Sequence, residues 1–187
     1  VDNITTVNQQ ELVQEFAKMK AYHFNESQTK QLLRAATSLD DLDLDGCPQE
    51  VKDITKEYRV KILDYNAEQE VHMKNEVAKY DASPDKEIAK KKLEETLNKY
   101  RAESKYYVEK TLDEYYAKLV DISEKYPEQK ANILSVANQV TGVAAYYVGA
   151  IVDLANTVAN TVITPIIDIG KTVIDTISDI GRKLWPF

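Results

Sequence analysis

Between Lys130 and Asp168 the chain carries one charged side chain, Asp153, although charged residues make up 29% of the whole. The stretch 131–167 is otherwise Val, Ile and Ala with weakly polar Asn and Thr. A segment of that length and apolarity has three possible environments: the interior of a protein, a lipid boundary, or the span of a bilayer. Any fold for this chain has to supply one of them.

The rest of the chain is suited to covering it. At 187 residues there is enough chain for one domain with a sizeable core. Five Gly and five Pro among many Ala, Leu, Glu, Lys and Gln favour helix nearly throughout. The net charge is -7, and residues 131–187 contribute little to it, with four Asp against two Lys and one Arg. A polar, acidic part is thus joined to a nearly neutral apolar one. No basic surface is written here for nucleic acid, and anionic lipid gains little electrostatically. Val1 at the start and the lack of a charged-then-apolar leader are expected for a processed, secreted protein. The acceptor patterns Asn3-Ile4-Thr5 and Asn25-Glu26-Ser27 are compatible with secretion. Cys47, the single cysteine, has no internal disulfide partner and is either a free thiol or a bridge between chains.

Taken in order, Val7, Asn8, Glu11 and Leu12 read as a staple and capping box opening a helix that carries Leu12, Phe16 and Met19 and fades near His23. A second short helix is expected from Asn25 or Ser27, with Leu32, Leu33 and Ala36 inward. Residues 39–48 are the sharpest break. Asp41, Asp43, Asp45 and Gly46 reproduce the opening of a calcium loop, but Pro48 and Lys52 occupy positions where that loop fails. An acidic turn between helices is the simpler reading. Cys47, just before a helix start, is expected to be a quiet thiol rather than a dipole-activated one.

From Pro48, Val51, Ile54, Tyr58, Ile62, Tyr65, Met73, Val77 and Tyr80 keep a helical step, a run of roughly 50 Å. Ser83 is expected to cap the next helix, with Pro84 in its first turn and Asp85 facing its positive end. That helix runs to about Lys125 with Ile88, Leu93, Leu97, Tyr100, Tyr107, Leu112, Tyr115, Leu119 and Ile122 on its apolar side. The short turn makes the two an antiparallel hairpin. Tyr126-Pro127 turns the chain again. From Ile151 an apolar residue recurs through Leu154, Val158, Val162, Ile166, Ile169, Val173, Ile177 and Ile180 to Leu184, a period of about 3.67 and hence an eleven-residue repeat. Pro165 is expected to kink or divide this helix, and Leu184, Trp185 and Phe187 form an aromatic tail.

Catalytic signatures are absent: no phosphate-binding glycine loop, no zinc spacing, no nucleophile elbow. Glu68, His72 and Glu76 share one helix face, which in so charged a helix reads as a solvated row rather than a metal site. No enzyme, metal or cofactor is expected. The twelve tyrosines are more informative. Phenol hydroxyls at the rim of an apolar space suit a ligand with a long tail and a polar head, although Tyr also fills the boundary of an ordinary core.

These readings give an all-α, elongated helical bundle: a short helical pair (1–47), a long hairpin (48–130), and an apolar segment with its tail (131–187). The expected function is a secreted, non-enzymatic binder of lipid or another hydrophobic ligand, with Tyr100, Tyr107, Tyr115, Tyr146, Tyr147, Val143, Ile151, Leu154 and Val158 at the site. A protein-interaction module, docking a partner or a second copy through Val173, Ile177, Ile180, Leu184, Trp185 and Phe187, is the alternative. The same residues suit transient membrane contact, and a third reading inserts 131–163 into a bilayer. In style the chain resembles secreted helical lipid carriers, such as the exchangeable apolipoproteins and the nematode fatty-acid and retinol-binding proteins, in its Lys/Glu-rich amphipathic helices, scarce cysteine and eleven-residue stripe. No motif aligns, so no residue role is carried over.

Overall fold

A computed structural model of the chain describes residues 2–24 and 43–163, with side chains over 9–24 and 43–160. The protein is an all-α helical bundle: α1 (Asp2–His23), α2 (Gln49–Ala82), α3 (Lys86–Lys125) and α4 (Lys130–Ile163), which pack against one another without strands among the described residues. The second short helix, the kink at Pro165 and the aromatic tail lie outside the described residues.

The local chemistry explains the breaks. Between α1 and α2, Gly46 takes a left-handed φ of 79°, which a side chain would resist. Asp43 Oδ1 accepts the Asp45 amide at 3.1 Å, completing an acidic turn. Asn132 Nδ2 donates to the Gly46 carbonyl at 3.2 Å, and the Asp43 amide donates to Gln139 Oε1 at 3.0 Å, so α4 holds this turn in place. Cys47 is buried with Sγ 3.9 Å from the Asn132 carbonyl. Burial pushes its thiol pKa up, against a smaller opposing effect of Lys52.

Two expectations about helix starts are corrected. Helix α1 begins at Asp2 rather than at Asn8. Glu11 lies inside it and pairs with Lys130 at 2.7 Å instead of closing a capping box. At the hairpin turn the cap of α3 is Asp85, not Ser83: Asp85 Oδ1 accepts the Ile88 amide at 3.2 Å, while Ser83 Oγ donates to the Asp85 carbonyl. Lys86 Nζ closes the end of α2 by donating to the carbonyls of Tyr80 (2.7 Å) and Asp81 (2.6 Å). Between α3 and α4 a 3-10 turn, Pro127–Gln129, follows Tyr126.

The described helices pack as two compact units, one from residues up to 62 with 108–146, the other from 63–107 with α4 from Tyr147 onward. In the first unit, Leu12 and Phe16 of α1 are buried, and Phe16 stacks on Tyr116 of α3 at 4.7 Å. Helix α1 is tied to α3 by Lys20–Asp113 (2.9 Å) and to α4 by His23 Nε2, 2.8 Å from Asn138 Oδ1. Tyr58 and Tyr115 tilt together at 5.4 Å, and Glu50 takes Lys125 (3.1 Å) and Tyr126 (3.3 Å), which sets α2 antiparallel to α3.

In the second unit the same hairpin continues through Tyr65 stacked on Tyr107 (3.9 Å) and His72 against Tyr100 (6.2 Å). Its core is one apolar cluster of Met73 and Val77 from α2, Leu93, Leu97 and Tyr100 from α3, and Ile151, Leu154, Ala155 and Val158 from α4.

Helix α4 changes character along its length. From Val140 to Val148 every residue but Tyr146 is buried, as expected of a helix enclosed on all sides. Among the described side chains from 152 to 160, Leu154, Ala155 and Val158 are buried while Asp153, Asn156 and Thr157 are exposed. With the turn before it, α4 is the one helix among the described residues long and apolar enough to cross a membrane. More than half of that apolar window is buried in the protein.

Candidate functional site

The residues expected to form the ligand site fall into both units. Tyr115, Val143 and Tyr146 belong to the first. Tyr115 is fully buried and shares a 2.8 Å hydrogen bond with Thr55 Oγ1. Burial raises its pKa far above that of a free phenol, an effect its bond to Thr55 only partly offsets. Tyr116, its neighbour, is bonded to Thr141, whose own hydroxyl donates to the Ala137 carbonyl at 2.7 Å. With that proton committed, the Tyr116 hydroxyl must be the donor of the pair. Burial raises the pKa of Tyr116 as well. Val143 is buried, and Tyr146 is half-buried with its phenol pKa pushed up by desolvation. Tyr115 and Tyr116 are finished core: large buried rings with their hydroxyls bonded.

Tyr100, Tyr107, Tyr147, Ile151, Leu154 and Val158 belong to the second unit. Four of them, Tyr100, Ile151, Leu154 and Val158, meet in the apolar cluster. Tyr107 instead stacks on Tyr65, and Tyr147 is buried. Tyr80 packs against the edge of the cluster. There, at the hairpin end, a cleft of about 190 Å³ is lined by Tyr80, Ile88, Ala89 and Leu93 together with Glu76, Lys79, Ser83 and Lys92. Leu93 is common to the cleft and the cluster.

The same unit holds polar residues that a search for apolar spacing passes over. Asn66 is fully buried and Gln69 nearly so. Neither amide atom of Asn66, nor Gln69 Oε1, has a hydrogen-bond partner. Ser104 is buried too, accepting only a long 3.5 Å bond from the Tyr65 hydroxyl. A signal was present: the apolar stripe of α2 skips from Tyr65 to Met73, and Asn66 and Gln69 keep its step across the gap.

The flanked histidine does not form a site with its carboxylates: His72 is exposed and Glu76 is paired with Lys79 at 3.1 Å. A second cleft, of about 370 Å³, lies on the first unit and is lined by Ile54 and Ile122 with Glu50, Asp53, Glu57, Lys118 and Asp121. Glu50 and Glu57 are already engaged by lysines. The partner-contact residues Val173, Ile177, Ile180, Leu184, Trp185 and Phe187 lie outside the described residues.

Fold and site together define a class: an all-α bundle with one long apolar helix, and a cleft in its second unit that shares Leu93 with the apolar cluster. Comparison with protein-family models, curated proteins and solved structures finds no match for the chain.

Proposed function

We propose that the protein is a secreted, non-enzymatic binder of lipid or another hydrophobic ligand, taken up in the second unit. The observation that carries this reading is the cleft at the hairpin end, whose wall residue Leu93 is also part of the apolar cluster. A ligand tail entering there meets Val77, Leu97, Leu154 and Val158 by displacing side chains along one continuous apolar face. At roughly 25 cal/mol per Å² of apolar surface removed from water, an alkyl chain gains enough from such contacts to offset modest repacking. Displacement of a polarity-sensitive dye, Nile red, by a panel of lipids tests the reading, alongside organic extraction of the purified protein. A protein that comes out empty and releases no dye to any of them excludes it.

Insertion of α4 into a bilayer is a second reading, favoured by its length and apolarity. It requires the bundle to open and expose α4. Leakage of dye from neutral liposomes supports it; intact liposomes at high protein concentration rule it out.

A further inference from the structure

We infer that the ligand of the second unit bears an uncharged polar head that both donates and accepts a hydrogen bond, as a long-chain alcohol does, and that this head is held by Asn66 and Gln69. The inference rests on the hydrophobic-ligand reading above and adds where the polar end of the ligand goes.

On α2 the inward residues of this unit read Asn66, Gln69, Met73, Val77, at helical spacings of three and four, so amides and apolar residues share one face. The antiparallel register set by Tyr65–Ser104, Tyr65–Tyr107 and His72–Tyr100 places buried Ser104 at the level of the amides, with Leu97 and Leu93 further toward the hairpin turn. The core therefore has a polar end and an apolar end. From Asn66 to Val77 is about 16 Å of helix, and the packed side chains of the apolar end must move aside for an alkyl chain to lie along it.

A buried amide without a partner is costly, because the water it lost has not been replaced. Asn66 offers a donor and an acceptor and Gln69 an acceptor, all fully desolvated. A hydroxyl satisfies one of each. An ionised head is a poor fit, since removing a charge from water costs far more than neutral amides return.

The test is competition for bound Nile red by hexadecanol, its methyl ether and palmitate, on wild type, Asn66→Leu and Gln69→Leu, each variant checked for helical content and cooperative melting. The ether keeps the chain and the acceptor oxygen but cannot donate. Wild type is expected to favour the alcohol over the ether by roughly tenfold, the worth of one net hydrogen bond to a buried group, and to bind palmitate more weakly than the alcohol at neutral pH. Asn66→Leu is expected to bring alcohol and ether together, and Gln69→Leu to narrow the gap. Equal binding of alcohol and ether by wild type, or a preference that survives both variants, overturns the head-group assignment while leaving hydrophobic binding intact. Palmitate binding that is strongest and lost in Lys79→Gln/Lys92→Gln overturns it in favour of a head at the mouth of the cleft. Failure of every compound to displace the dye overturns the parent reading as well.

Discussion

The two units are built from the same three long helices, with α1 added to the first, yet the hydroxyls buried in the one and the amides buried in the other meet different surroundings. In the first, Thr55 meets Tyr115, Tyr116 meets Thr141, and Ser123 donates to the Val120 carbonyl at 2.6 Å. Each of these hydroxyls enters the core with a partner. In the second, Asn66 and Gln69 enter as deeply and their buried amide atoms find none. A paired hydrogen bond adds about 1 kcal/mol, whereas an orphaned buried group subtracts about 1–3. Rearrangement around Asn66 and Gln69 relieves a cost that the bonded hydroxyls of the first unit do not carry. A protein that must stay folded while part of it accommodates something apolar benefits from that division.

The largest expected difference is in truncating equivalent leucines. Leu119→Ala in the first unit should cost near the top of the usual range of about 2–5 kcal/mol, because its surroundings are locked by bonded side chains. Leu97→Ala in the second should fall nearer the bottom, because shifts that fill the space are opposed by fewer hydrogen-bonded side chains. Equal costs by chemical denaturation would break the comparison.

Alkaline pH should act chiefly on the first unit. The pKa values of Tyr115 and Tyr116 are raised by folding, so their contribution is intact below the unfolded phenol value of about 10 and is lost as pH rises above it. Each should remove up to about 1.4 kcal/mol per pH unit beyond that point. Thermal melts between pH 9 and 11, repeated on Tyr115→Phe/Tyr116→Phe, should show the slope and then its loss.

Replacing buried polar residues by apolar ones should have opposite signs in the two units. Thr141→Val leaves the Tyr116 hydroxyl unpaired and should destabilise by about 1–3 kcal/mol; Asn66→Leu removes an unpaired amide and should stabilise by a similar amount. Unfolding midpoints that move the same way would erase the distinction. The smallest effect expected is for Gly46→Ala, about 1–2 kcal/mol destabilising, because the turn needs a positive φ and the new Cβ would sit 3.2 Å from Asn132 Nδ2.

Much of the architecture was legible because breakers and periodicity agree. Pro48, the Ser83-Pro84-Asp85 turn and Tyr126-Pro127 each interrupt an apolar stripe where the chain reverses, and the run after Lys130 forms a helix to Ile163 that is enclosed over its middle turns. The start of α1 was misplaced because a good capping sequence competes with simple continuation of the helix through it. Tyr100, Ile151, Leu154 and Val158 do meet in one apolar cluster, since one-sided stripes must face one another. Spacing missed Asn66 and Gln69 because a stripe traced through apolar residues alone registers a polar member only as a gap. The hydroxyl partners were hidden for another reason: Thr55 and Thr141 lie far in sequence from the tyrosines they meet, and no local pattern announces such pairings.

The hydroxyl of Thr141 has one more consequence. Between Val140 and Val148, α4 is apolar on nearly every side, and such a cylinder could turn about its own axis with little change in the grease around it. Tyr116 reaching Thr141, and His23 reaching Asn138 one turn earlier, act as keys in a slot: they match at a single rotational setting and so choose which residues of α4 face each neighbour.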